Sequence, residues 1–204
     1  MSEVASMEAE RIVAAARFLA GRGWAPAGAG NYSHRRATGD IAITVSGAHK
    51  ATLNAEDVMI VDADGVSLDG RRPSAEAALH LAIYRLYPKA QAVLHTHSVP
   101  AVVVSRRTGD SLCLAGYELL KAFPGVETHD CAVELPIFDN SQDMDAVAVT
   151  VAAALVVRPA PAFLIRDHGL YGWGQTMDEA LRVVEAAETL IACELELMRM
   201  DAQV

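Results

Sequence analysis

Apolar residues along this chain recur at two different intervals, and the switching between them limits the possible folds more than any other feature. Residues 5–20 carry Met7, Ile12, Ala16 and Leu19 at helical spacing, with Glu8, Glu10 and Arg11 opposite and Gly21 following. Residues 28–34 break that helix and lead into extended chain. Residues 40–46 place Ile41, Ile43 and Val45 on one face at a period of two, as a strand does. Residues 58–62 and 66–68 flank Ala63-Asp64-Gly65 and read as a hairpin. The pattern then predicts a helix over 74–87 stopped by Pro88, a buried strand at 92–96, and a helix over 100–107. A short helix over 116–123 ends at Pro124-Gly125. Strands follow at 131–137 and 162–166, with a helix over 144–157 between them. A final helix over 176–200 carries Ala180, Val183, Val184, Ala187, Leu190, Ile191 and Leu195 as its apolar stripe. Helices and strands mix without strict β-α-β alternation, the pattern of one central sheet flanked by helices.

Composition narrows the class. The 204 residues suit about one domain, taken as 1–204. With 52% apolar and 21% charged residues the chain can bury a core, and because aromatics are only 5%, Ala, Val and Leu must fill it. The longest apolar run, 146–157, contains Thr150 and falls short of the ~20 residues of a membrane span, so no membrane association is expected. A net charge of −9 argues against nucleic acid as a partner, since phosphate neutralisation needs a basic face. A small anionic substrate remains compatible, because a few backbone N–H groups and one cation hold a phosphate locally. The acidic N-terminus lacks the features of a signal peptide, so a cytoplasmic location is expected. The three cysteines, Cys113, Cys131 and Cys193, have no CxxC spacing and are expected to be buried thiols.

The first chemical signal is His95-Thr96-His97 at the end of the 92–96 strand. Residues i and i+2 of a strand point to the same side, so both imidazoles can converge on one ion. Two hydrogen-bonded surface histidines would look the same in sequence. His168, again just after an apolar strand, shifts the balance toward a metal: three histidine nitrogens suit Zn²⁺ with a position left for substrate. Glu76, on the expected first turn of the 74–87 helix, is available to complete the set. The second signal is a pair of small-residue loops, 28–31 and Ser46-Gly47, together with Ser74 at a helix start. Each alone is more often an ordinary turn. Lys50 reads by default as a solvated lysine that could add charge there. His34, His49, His80 and His129 receive no role.

In order, Gly30-Asn31, Ser46-Gly47, Ser74-Ala75-Glu76, His95-Thr96-His97 and His168-Gly169 resemble the class II aldolase and adducin-head family over nearly the whole chain. The segments Tyr117-Glu118-Leu119-Leu120-Lys121-Ala122, 136–144 and 168–174 resemble its dehydratase branch. The resemblance implies an α/β, single-domain, three-layer fold with a mostly antiparallel central sheet flanked by helices. It implies His95, His97 and His168 as ligands of one Zn²⁺ per subunit, and Glu76 as a proton-shuttling carboxylate beside the metal. Gly30, Asn31, Ser46, Gly47 and Ser74 match substrate-phosphate-binding positions, and Glu118 matches the acid–base glutamate of the dehydratases. Ala29 and Ala75 depart from the pattern and leave only backbone contacts to phosphate there. The implied assembly is a homotetramer with sites near subunit contacts. The implied activity is removal of water from a methylthio-bearing ketose phosphate through enediolate chemistry. A sugar-phosphate aldolase or epimerase would use the same histidines and Glu76, and a non-enzymatic scaffold is a third reading.

Overall fold

A computed structural model describes residues 3–202; Met1, Ser2, Gln203 and Val204, assigned above to the same domain, lie outside the described residues. The chain runs α1 (Glu3–Gly21), β1 (Asn31–Arg35), β2 (Ile41–Thr44), β3 (Val58–Val61), α2 (Ala77–Leu86), β4 (Ala92–Thr96) and α3 (Val99–Arg107). It continues through β5 (Ser111–Ala115), β6 (Ala132–Phe138), α4 (Met144–Val157), β7 (Ala162–Ile165), β8 (Gly169–Gly174) and α5 (Met177–Asp201). The strands form one eight-stranded sheet in the order β3-β2-β1-β4-β8-β7-β6-β5. Every pairing is antiparallel except β6 with β7. The expected α/β fold, a mostly antiparallel sheet flanked by helices, is the one observed.

Strand parity explains the layering. Tyr32, Leu94, Leu164 and Leu170 point to one face and pack with α1, α3 and α5. Val93, Phe163, Ile165, Tyr171 and Trp173 point to the other and pack with α2 and α4. Because both faces are covered, the central strands are buried at nearly every position; β4 and β8 are buried throughout.

Four expectations need correction. The helix expected from Ser74 begins at Ala77, because Ser74 Oγ accepts the Glu76 N–H at 3.3 Å and closes a turn ahead of the helix. The short helix over 116–123 is a tighter 3-10 turn, Glu118–Ala122. Strands β5 and β8 carry no strand signal strong enough to read. In β8 the reason is glycine: a Cβ on Gly174 would lie 2.4 Å from the Ala180 nitrogen, so α5 can pack against β8 only over a residue of poor strand propensity. None of the cysteines is buried: Cys131 and Cys193 are half-buried, and Cys113 is exposed because β5 alternates and its odd positions face outward. Among the described residues no helix is long and apolar enough to cross a membrane.

Candidate active site

His95, next to last in β4, has the parity of Val93, so its ring falls on the α2 face, and His97 follows on the same side. The His97 backbone is anchored by its N–H to the Trp24 carbonyl at 2.8 Å. His168 is delivered from the turn between β7 and β8. Arg166 pins that turn by donating to the Ser105 and Thr108 carbonyls at 2.7 and 2.9 Å, and Asp167 takes a left-handed φ of 58° beside His168. Glu76 stands just ahead of α2 and points toward the same place. The potential ligand atoms of Glu76, His95, His97 and His168 all lie within 4.8 Å of one another.

Close backbone approach makes this possible. Register pairs Asn31 with His95, and Gly30 before it has a φ of +89°. A Cβ at Gly30 would lie 2.5 Å from the His95 carbonyl oxygen, so only glycine lets the 28–31 loop reach the end of β4. Register also pairs His95 with Tyr171, and the two rings stack at 3.9 Å between centroids.

Hydrogen bonds decide which nitrogen each ring offers. His95 Nδ1 lies 3.0 Å from the Leu170 carbonyl, which can only accept, so Nδ1 carries the proton and Nε2 keeps its lone pair. His168 Nε2 lies 2.9 Å from Glu76 Oε1, and His95 Nε2 lies 3.5 Å from Glu76 Oε2. His95 Nε2 and His97 Nε2 are buried without a hydrogen-bond partner, and buried polar atoms are seldom left so. Burial, helped by the neighbouring His168, pushes His97 down to about 4, and burial keeps His95 neutral as well. Burial opposes the Glu76 charge, but hydrogen bonds from His168 and the Asn31 amide outweigh it and hold the carboxyl well below its usual range. The unpartnered ring nitrogens of His95 and His97, the His168 ring and the ionised Glu76 carboxylate form the donor set of a divalent metal, and these residues fit Zn²⁺.

A cavity of about 340 Å³ opens next to this cluster, lined by Gly30, Asn31, Ser46, Gly47, Ser74, Glu76 and His97 among others. All five residues matched to phosphate binding therefore border one space. Asn31 does so with its side chain buried and bonded to Glu76 through Nδ2 and to His80 through Oδ1, which leaves the second N–H of its amide unassigned. Lys50 also lines the cavity, and it is no solvated lysine. It is 3% exposed, with Nζ donating to the Gly28 carbonyl at 3.1 Å and the Ala48 carbonyl at 2.5 Å. No sequence pattern marks it, because its burial comes from two loops closing over it. Glu118 is not in the cluster. It sits on the exposed 3-10 turn, bonded to Lys121 at 2.5 Å and 3.3 Å from His129 Nδ1. Neighbouring Tyr117 bonds Glu194 at 2.7 Å, whereas Thr96, between the two histidines, bonds Glu188. Six residues of α5 separate these anchors, about 9 Å along the helix.

The sequence model described as Class II Aldolase and Adducin N-terminal domain matches residues 10–195. A Marinobacter nauticus protein named methylthioribulose-1-phosphate dehydratase is 52% identical over 196 residues, covering 94% of each chain. Among solved structures, YgbL from Escherichia coli superposes with a TM-score of 0.81 at 26% identity, over 96% of this chain and 91% of its own. An L-fuculose-1-phosphate aldolase from Thermus thermophilus gives a TM-score of 0.77 at 26% identity, over 95% of both chains.

Proposed function

The chain belongs to the class II aldolase and adducin N-terminal domain family, and on that premise we propose that it is a lyase of methionine salvage. It removes water from 5-methylthioribulose 1-phosphate to give 5-methylthio-2,3-dioxopentyl 1-phosphate. The observation carrying this reading is the 52% identity, over nearly the full length of both chains, to a relative named for that dehydration.

His95, His97 and His168 hold one zinc ion per chain, with Glu76 beside it. The ion, when bound, supplies a Lewis acid that polarises the substrate carbonyl and acidifies the adjacent C–H. Backbone N–H groups of Gly30, Ser46 and Gly47 and the Ser74 hydroxyl take the phosphate, and the buried ammonium of Lys50 adds the charge. Ala29 and Ala75 contribute backbone alone. Asn31 holds Glu76 with one amide N–H and offers the other to the phosphate. In the reaction a proton leaves the third carbon, the hydroxyl of the fourth carbon departs with a proton as water, and the enol tautomerises to the diketone. Glu118 and Glu76 carry the protons in these transfers, Glu118 as the acid–base group and Glu76 as the shuttling carboxylate beside the ion. The hydrogen bond from Lys121, with the Lys121 charge, keeps Glu118 ionised and able to accept a proton. Because Glu118 stands apart from the histidines of its own chain, it serves the site of a neighbouring copy in a homotetramer. A cytoplasmic location accords with this role.

A second reading, aldol cleavage, draws support from Glu76, which among the described residues is the acid that touches His95 and His168. One assay separates the two. Purified protein given 5-methylthioribulose 1-phosphate should release water and form the five-carbon diketone. Fragments from scission between the third and fourth carbons would overturn the dehydratase reading in favour of the aldolase.

A further inference from the structure

His80 is fully buried on α2, four residues after Glu76, and the reaction described above makes no use of it. It is bracketed by Asn31 and Ser33, which share one face of β1 by strand parity. His80 Nε2 meets Asn31 Oδ1, while Nδ1 lies 2.7 Å from Ser33 Oγ. Ser33 Oγ in turn lies 2.8 Å from the Tyr84 hydroxyl. The other end of Asn31, its Nδ2, meets the Glu76 carboxylate.

Chemistry allows one direction for this chain of bonds. An ionised carboxylate only accepts, so the Asn31 atom facing it must be the amide N–H. The Asn31 oxygen then faces His80, which must donate from Nε2 and keep Nδ1 unprotonated. Nδ1 therefore accepts the Ser33 hydroxyl proton, and Ser33 must accept from Tyr84. Every donor points toward Glu76. Burial favours the same neutral ring, pushing His80 down to about 3.

We infer that His80 is a positioning residue: its Nε2–H locks the Asn31 amide so that an N–H, and never the carbonyl oxygen, faces the Glu76 carboxylate. Without that lock the amide can turn over and set its oxygen against the carboxylate, releasing it from its aim at the three histidines. The inference rests on the reading of Glu76 as the proton-carrying carboxylate beside the metal.

Two measurements test it. On the wild-type protein, ¹⁵N NMR of the His80 ring should report the neutral Nε2–H tautomer; a protonated Nδ1 with a bare Nε2 would overturn the inference without any variant being made. In kinetics, His80→Leu should lower kcat by about 10–100-fold, the usual loss when a partner behind an active-site ligand is removed, with KM changed far less. His80→Gln, which returns an amide N–H near the Nε2 position, should recover most of that loss at unchanged zinc content. A folded His80→Leu with wild-type kcat, or a His80→Gln as impaired as His80→Leu, would overturn the positioning role. Glu76→Gln distinguishes the two failures. If it is inactive while His80→Leu is normal, only the positioning role falls, and if Glu76→Gln is itself normal, the reading of Glu76 falls.

Discussion

At the scale of single residues, the site depends on which nitrogen of each ring is left without a hydrogen. His95 donates from Nδ1 to the Leu170 carbonyl, so its Nε2 faces the cluster as a lone pair, and His97 Nε2 has no partner at all. Such atoms are costly to bury, on the order of 1–3 kcal/mol each, unless something accepts their electrons. A bound metal does so. His97→Ala should therefore strip the zinc from the purified protein and abolish turnover, because two imidazoles do not hold a catalytic ion tightly. Chelator treatment of the wild type should have the same effect, and added zinc should reverse it. Full metal content in His97→Ala, measured by elemental analysis, would remove this residue from the ligand set. Lys50 carries the lesson that exposure cannot be assigned from residue type. A lysine reads as solvated, yet two carbonyls 22 and 2 residues away accept its protons and close the loops around it.

At the scale of elements, β4 is a two-sided device. His95 and His97 face α2, and Thr96 between them faces α5, where it and Ser98 both donate to the buried Glu188. Helix α5 thus grips the histidine-bearing segment from behind. Burial pushes Glu188 up to about 7 from the usual 4.5, against the hydrogen bonds of Ser98 and Thr96, and Tyr32 nearby is held un-ionised by the same burial. Between those two pH values the folded chain holds a proton that the unfolded chain has already released. The contribution of Glu188 to stability therefore falls as pH rises through that window and stays low above it. Glu188→Gln removes this term. The stability of the variant relative to wild type should improve between pH 5 and pH 8 by an amount on the order of 3 kcal/mol at most. Melting temperatures of both proteins at the two pH values check it; a gap that does not change with pH would show that Glu188 titrates normally.

At the scale of the whole molecule, the chain sets Glu118 apart from the histidines and leaves part of its apolar surface uncovered. The Glu118 side chain is 72% exposed and apart from the histidines, and Val149, Val156 and Val157 of α4 stand in solvent. The homotetramer proposed above would account for both. A mixture distinguishes shared sites from self-contained ones. His97→Ala and Glu118→Gln should each be nearly inactive alone, the second by at least about 10²-fold in kcat. Co-assembled at equal amounts, they should regain about a quarter of wild-type activity, since in a closed ring one neighbour pair in four combines an intact cluster with an intact Glu118. No regain in a mixed assembly would place both groups' work within one chain.

Much of this was legible in one dimension, for a physical reason. Apolar period reports which face of an element is buried, and that information is local. It located α1, β2, β4, α4 and α5 and, through the two-residue parity of a strand, set His95 and His97 on one side of β4. The ordered motifs carried the family. What stayed illegible depends on contacts between residues far apart in sequence. β8 is a strand because β4 and β7 pair with it, although its glycines disfavour one; those glycines answer to α5 lying close above. Cys113 points outward because β5 is an edge. Asn31 reaches Glu76, and His80 gains a task, only once β1 and α2 lie side by side. Residue type and spacing chose the groups that could do the chemistry, while register and packing across the sheet chose which of them touch, because a hydrogen bond is decided within a few tenths of an ångström and no local pattern carries that precision.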